Sequence, residues 1–151
     1  MRFAALIFAI AVPFAAYAAE PAQAAYVPRL GEIMGATQVR HAKLWFAGQA
    51  GNWDLARYEL GEIREGLNDA ARFDPVFKGI PVASLLMKFS DQPLEDVGIA
   101  IESRDSTKFR ESFDKLTDAC NACHKEAGRG FIVIQRPTMQ PFSNQEFSVS
   151  H

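Results

Sequence analysis

From Leu30 onward the apolar residues return with the period of a helix. Leu30, Met34, Thr37, His41, Leu44 and Gly48 follow alternating steps of four and three, and Ile33 and Trp45 widen the stripe. Residues 48–52, Gly-Gln-Ala-Gly-Asn, read as a turn, with Asn52 a good N-cap. Trp53, Ala56, Leu60, Ile63, Leu67 and Ala70 repeat the spacing and predict a second helix. Asp74-Pro75 and Gly79-Ile80-Pro81 mark a loop. Val82, Leu85, Leu86 and Phe89 make a short helical piece. Ser90 or Asp91 is expected to cap a restart, because Pro93 suits a first turn but not a helix interior. Leu94, Val97 and Ile101 carry that helix to Ser103. Asp105, Ser106 and Thr107 offer caps for a last helix with Phe109, Phe113, Leu116, Cys120 and Cys123 on one face. Long amphipathic segments with short connections predict an all-α fold, an antiparallel four-helix bundle.

After Gly128-Arg129-Gly130 the pattern changes. Phe131-Ile132-Val133-Ile134 is β-rich and too short for a helix, and Pro137, Pro141, Phe142 and Phe147 follow. A disordered tail and an extended arm packed on the bundle both fit. The arm is favoured, because four consecutive large apolar residues are expected to leave water.

The N-terminus has a different logic. Met1-Arg2 gives a charged start, an apolar stretch broken only by Pro13 follows, and Ala16-Tyr17-Ala18 places small residues where a peptidase would cut. This is the plan of a secretory signal peptide over residues 1–18. A transmembrane anchor is the alternative, but the stretch is short for a bilayer and no later apolar run is long enough. The division expected is a leader over 1–18, a bundle over 19–130 and an arm over 131–151, in an exported chain that in a bacterium resides in the periplasm. Composition agrees with a compact fold: 48% hydrophobic and 23% charged, with a net charge of −2 that becomes one unit more negative if Arg2 leaves with the leader. Nothing here is basic enough for nucleic acid. The chain has two cysteines, so it is no disulfide scaffold.

Those two cysteines lie in Cys120-Asn121-Ala122-Cys123-His124, a C-x-x-C-H motif in an exported chain. Two thiols three residues apart can add to the two vinyl groups of a porphyrin, and the adjacent histidine then presents a nitrogen to the iron. On a helix Cys120, Cys123 and His124 share one side, which continues the Phe109, Phe113, Leu116 stripe into the core. One covalently attached haem c per chain is therefore expected. A thioredoxin-like dithiol, a structural zinc site and a simple disulfide are weaker readings. The first wants a strand–turn–helix setting. The second wants four ligands. The third constrains almost nothing one turn apart and leaves His124 unexplained.

With these residues the chain resembles the class II c-type cytochromes, the family of cytochrome c-prime and its six-coordinate relatives. These are periplasmic four-helix bundles with C-x-x-C-H near the end of the last helix. The resemblance covers roughly residues 30 to 128. It implies that Cys120 and Cys123 form the thioethers and that His124 is the proximal ligand. The arm is similar instead to a group of small, little-characterised bacterial c-type cytochromes with a Phe-Ile-x-Ile run, prolines and an Asn-Gln-x-Phe ending, here Asn144-Gln145-Glu146-Phe147.

In an up-down bundle the start of the first helix lies beside the end of the fourth, which makes Met34 the candidate sixth ligand. Ordinary core packing explains Met34 equally well. His41 is ~10.5 Å further along the axis and is expected to be a hydrogen-bonded core or propionate-side histidine rather than a ligand. Met87 and Met139 are remoter candidates. Trp45 and Trp53 read as packing at the bundle end. Arg129 and Arg136 could pair with a propionate, although a solvated face suits both. The function expected is one-electron transfer with periplasmic or membrane-bound redox proteins; the formation of a homodimer is left open. The alternative is a five-coordinate haem that binds a gas or other small ligand. No acid–base constellation suggests an enzyme.

Overall fold

The computed structural model describes residues 26–149. The signal peptide expected over residues 1–18 lies outside the described residues. Four helices follow in order: α1 Leu30–Gln49, α2 Trp53–Phe73, α3 Val82–Glu102 and α4 Ser106–Glu126. The first and last connections are tight. Gly51 takes a φ of 68° and lets the chain reverse, and Asn52 Oδ1 then accepts the Leu55 N–H at 3.2 Å. Before α4, Asp105 Oδ1 accepts the N–H groups of Thr107 and Lys108, each at 3.0 Å. These bonds satisfy donors that a helix start leaves orphaned. Short turns force consecutive helices to run antiparallel. The closest pairs are α1 with α2 and α3 with α4; α2 packs on α3, and α1 meets α4 over few residues. The fold is an antiparallel four-helix bundle with a C-terminal arm. Among the described residues no helix is long and apolar enough to cross a membrane.

The core divides in two along the bundle. Leu44, Trp45, Leu60, Val97, Ile101, Phe109, Phe113 and Leu116 fill one part. Ile33, Ala70, Val82 and Leu86 form a second, with Leu30, Met34 and Cys123 only partly buried against it. Each fully buried side chain of this size stabilises the fold by about 1.5–3 kcal/mol. The first part is aromatic and dense: Trp45 lies 5.0 Å from Phe113 and Trp53 meets Phe109 edge-on at 6.0 Å. The second part borders a cavity.

One expectation fails in α3. No restart occurs at Ser90 or Asp91: the helix continues through Pro93. Pro93 removes one backbone donor and crowds the carbonyl four residues back, at a cost of ~3 kcal/mol in a free helix. Packing on both sides offsets it, because Val82 and Leu86 belong to one core cluster and Leu94, Val97 and Ile101 to the other. The Ser90 hydroxyl donates to the Leu86 carbonyl instead of capping a new helix.

The sequence also hides a buried ion pair. Glu59 is 1% exposed and faces Arg40 across α1 and α2 at 3.2 Å, while the same guanidinium reaches Glu62 at 2.8 Å.

The described part of the arm, residues 131–149, contains neither helix nor strand yet is anchored. Phe147 is buried against Phe46, and Phe142 packs beside it. Arg136 donates from Nε and Nη2 to the two carboxylate oxygens of Asp114 and lies 4.5 Å from the Trp45 ring. The Phe131–Ile134 run is only partly removed from water. Phe131 is 78% and Val133 70% exposed, whereas Ile132 and Ile134 turn towards the cavity. An extended segment presents alternate side chains to opposite sides, so only every second residue of the run can face the bundle.

Candidate functional site

A cavity of about 440 Å³ opens between the start of α1 and the end of α4, with α2, α3 and the arm completing its wall. That volume suits a sizeable organic ligand. Cys120, Cys123 and His124 all line it from α4, and Leu30, Met34 and His41 line it from α1. The 3.6-residue period produces this: Cys120 and His124 are one turn apart, and Leu30, Met34 and His41 follow the four- and seven-residue repeat of one face. Most of the remaining wall is apolar, including Leu67, Leu86, Phe89 and Leu116. Gly31 and Gly35 also lie on it, and a Cβ built on either would meet nothing within 4 Å. Backbone without side chains leaves room on both sides of Met34.

The end of α4 is built to hold His124. Gly128 adopts a φ of 67°, which reverses the chain. Its N–H donates to the Lys125 carbonyl at 3.1 Å, and the next N–H, of Arg129, donates to the His124 carbonyl at 2.7 Å. This is a Schellman closure. The Ile132 N–H then donates to the Arg129 carbonyl at 2.8 Å. That turn brings the Ile132 carbonyl to 2.9 Å from His124 Nδ1. A carbonyl can only accept, so Nδ1 carries the proton, and in the neutral ring Nε2 keeps its lone pair. Metal-binding histidines commonly use this arrangement.

The cysteines are free and half-buried. Burial, with Cys123 close by, pushes the Cys120 thiol up to about 11, and burial also raises Cys123. Both thiols are protonated at neutral pH, the reverse of a catalytic dithiol, whose nucleophile is a thiolate of lowered pKa. Among the described residues no three His, Cys, Asp or Glu side chains converge as a metal site. A four-ligand zinc centre therefore has no donor set among the described residues. Haem iron brings four porphyrin nitrogens of its own and asks the chain for one or two ligands. An apolar cavity with both thiols, an oriented imidazole and a thioether on its wall fits that group.

The other candidates separate clearly. His41 is buried and uses Nε2, 2.9 Å from Thr117 Oγ1. Thr117 gives its single proton to the Phe113 carbonyl at 2.9 Å, so it accepts from His41, whose proton lies on Nε2. Burial lowers the His41 pKa to about 4. Met87 is 61% and Met139 82% exposed, and neither lines the cavity. Arg129 is on the cavity wall, whereas Arg136 is committed to Asp114 and Trp45.

Asn121, between the two cysteines, has a role that the sequence does not single out. Its Nδ2 donates to the Ile134 carbonyl at 2.8 Å, and its Oδ1 accepts the Ile134 N–H at 2.7 Å. No signal in the sequence marks it, because both of its partners are main-chain atoms thirteen residues on.

The chain matches no family model, no curated protein and no solved structure.

Proposed function

We propose that this chain is an exported monohaem c-type cytochrome that carries single electrons, with Cys120 and Cys123 as the attachment thiols and His124 as the proximal ligand. The observation that carries the reading is the His124–Ile132 bond of 2.9 Å beside a cavity walled by both cysteines. It fixes the tautomer that leaves Nε2 free to ligate. Haem, when bound, supplies an iron that accepts and returns one electron. The chain supplies the rest. Leu67, Leu86, Phe89 and Leu116 exclude water, the imidazole is held in one orientation, and Met34, which lines the same cavity from α1, would supply the sixth ligand. A thioether there would raise the potential into the range of electron carriers. Redox proteins of the periplasm or of the membrane are the partners this implies.

The open space beside Gly31 and Gly35 supports the second reading, a five-coordinate iron that binds a small gas. The test is expression of the full chain, leader included, in a host with haem-attachment machinery. Haem should stay with the protein through acid–acetone extraction, at one per chain, and the carrier should take up carbon monoxide poorly in the ferrous state. Complete loss of haem to the organic phase would refute covalent attachment. Ready carbon monoxide binding would select the second reading.

A further inference from the structure

The geometry points to Asn121 as a positioning residue for His124, acting through the arm; this rests on the haem c reading above. The two C-x-x-C-H spacer positions need no particular side chain for the thiols to reach their targets. Here one of them holds an amide that spends both its donor and its acceptor on one backbone residue, Ile134, at 2.8 and 2.7 Å. Asn121 and His124 are three apart on α4 and are neighbours on its surface. Ile132 and Ile134 are two apart in the arm, so both turn to the same side.

The result is a closed ring of chain: Asn121 holds Ile134, and Ile132 accepts from His124 Nδ1. On its other side Ile132 is tied through its N–H to Arg129, and Arg129 to the His124 carbonyl. The Ile132 carbonyl is thus fixed from both directions. A fixed acceptor keeps the Nδ1 proton in place, orients the ring and raises the basicity of Nε2. Greater basicity favours ferric over ferrous iron, so the link lowers the potential.

The experiment compares haem-loaded wild type, Asn121→Ala and Asn121→Asp. In Asn121→Ala the midpoint potential should shift upward, the His124 Nδ1–H of the ferrous protein should exchange faster with deuterium, and trypsin should cut faster after Arg129. Asn121→Asp retains the acceptor for the Ile134 N–H and loses the donor, so its Nδ1–H exchange and tryptic cleavage should be intermediate, whereas its added negative charge by itself lowers the potential; the exchange and cleavage readouts also serve if the alanine variant does not fold. A loosened arm with wild-type potential and wild-type Nδ1–H exchange would overturn the positioning role. So would an arm as protected as in wild type. If the wild-type chain carries no haem, it is the proposed function that fails. Nδ1–H exchange and tryptic cleavage of the chain as purified then still decide the Asn121 link, which stands only if Asn121→Ala accelerates both.

Discussion

A Cβ built on Gly48 would lie 2.1 Å from the ring of Phe109. At this end α1 and α4 touch through backbone and aromatic ring; at the other end a cavity separates them. Gly48→Ala gains ~1 kcal/mol of helix propensity, but it forces a fully buried ring out of place, which costs roughly 1–3 kcal/mol or more. The clash should win and the melting temperature should fall. Gly61 in α2 has nothing within 4 Å of such a Cβ, so Gly61→Ala should raise it. Thermal melts of the two variants check opposite signs for the same chemical change.

Met34 lines the same cavity as the motif. If it is the sixth ligand, the ferric protein is low-spin and shows the weak far-red sulfur-to-iron band. Met34→Ala should abolish the band and let the ferrous protein take up carbon monoxide readily. A ligation spectrum that Met34→Ala leaves unchanged would make Met34 a packing residue, with a loss of a few kcal/mol at most.

His41 gives a pH dependence of known sign. Burial takes its pKa from 6.5 to about 4. Between those values the unfolded chain binds a proton that the folded chain does not, so stability rises with pH across the window. The contribution is complete above pH 6.5 and is lost as pH falls toward 4, by about 3 kcal/mol in all. Denaturant titrations at several pH values should show this slope, and His41→Gln, which can still donate to Thr117 but cannot titrate, should flatten it.

Arg40→Met removes the partner of Glu59, a carboxylate with almost no contact with water. Stability should drop by roughly 3–5 kcal/mol, as for other buried charges left alone. Arg40→Met with Glu59→Met should recover most of the loss. A double variant no better than the single one would show that the pair contributes through packing rather than charge.

The helices were legible because each carries a stripe of three- and four-residue steps, and Asn52 and Asp105 cap where their side-chain chemistry predicts. Pro93 misled because local rules do not register that Leu86 and Leu94 are held in separate core clusters on either side of it. Within the site, the motif brings Cys120, Cys123 and His124 into view, and the up-down topology puts Met34 on the wall of the same cavity. The acceptor for His124 was not legible, since it is a backbone carbonyl whose position depends on the φ of Gly128 and on two further turns of chain. Asn121 was overlooked for the same reason: its partner is main chain. The Arg40–Glu59 pair joins two helices, and only their packing reveals it.

The arm also imposes an order of events. Contacts between α1 and α2, and between α3 and α4, form across short turns and involve little loop closure. Those of the arm join residues about a hundred positions apart in the chain, as in Phe147 on Phe46 and Arg136 on Trp45. Both hairpins can therefore dock while Ile132 and Ile134 are still absent from the cavity wall. During that interval the cavity lacks one of its sides, and its mouth narrows only when the arm docks.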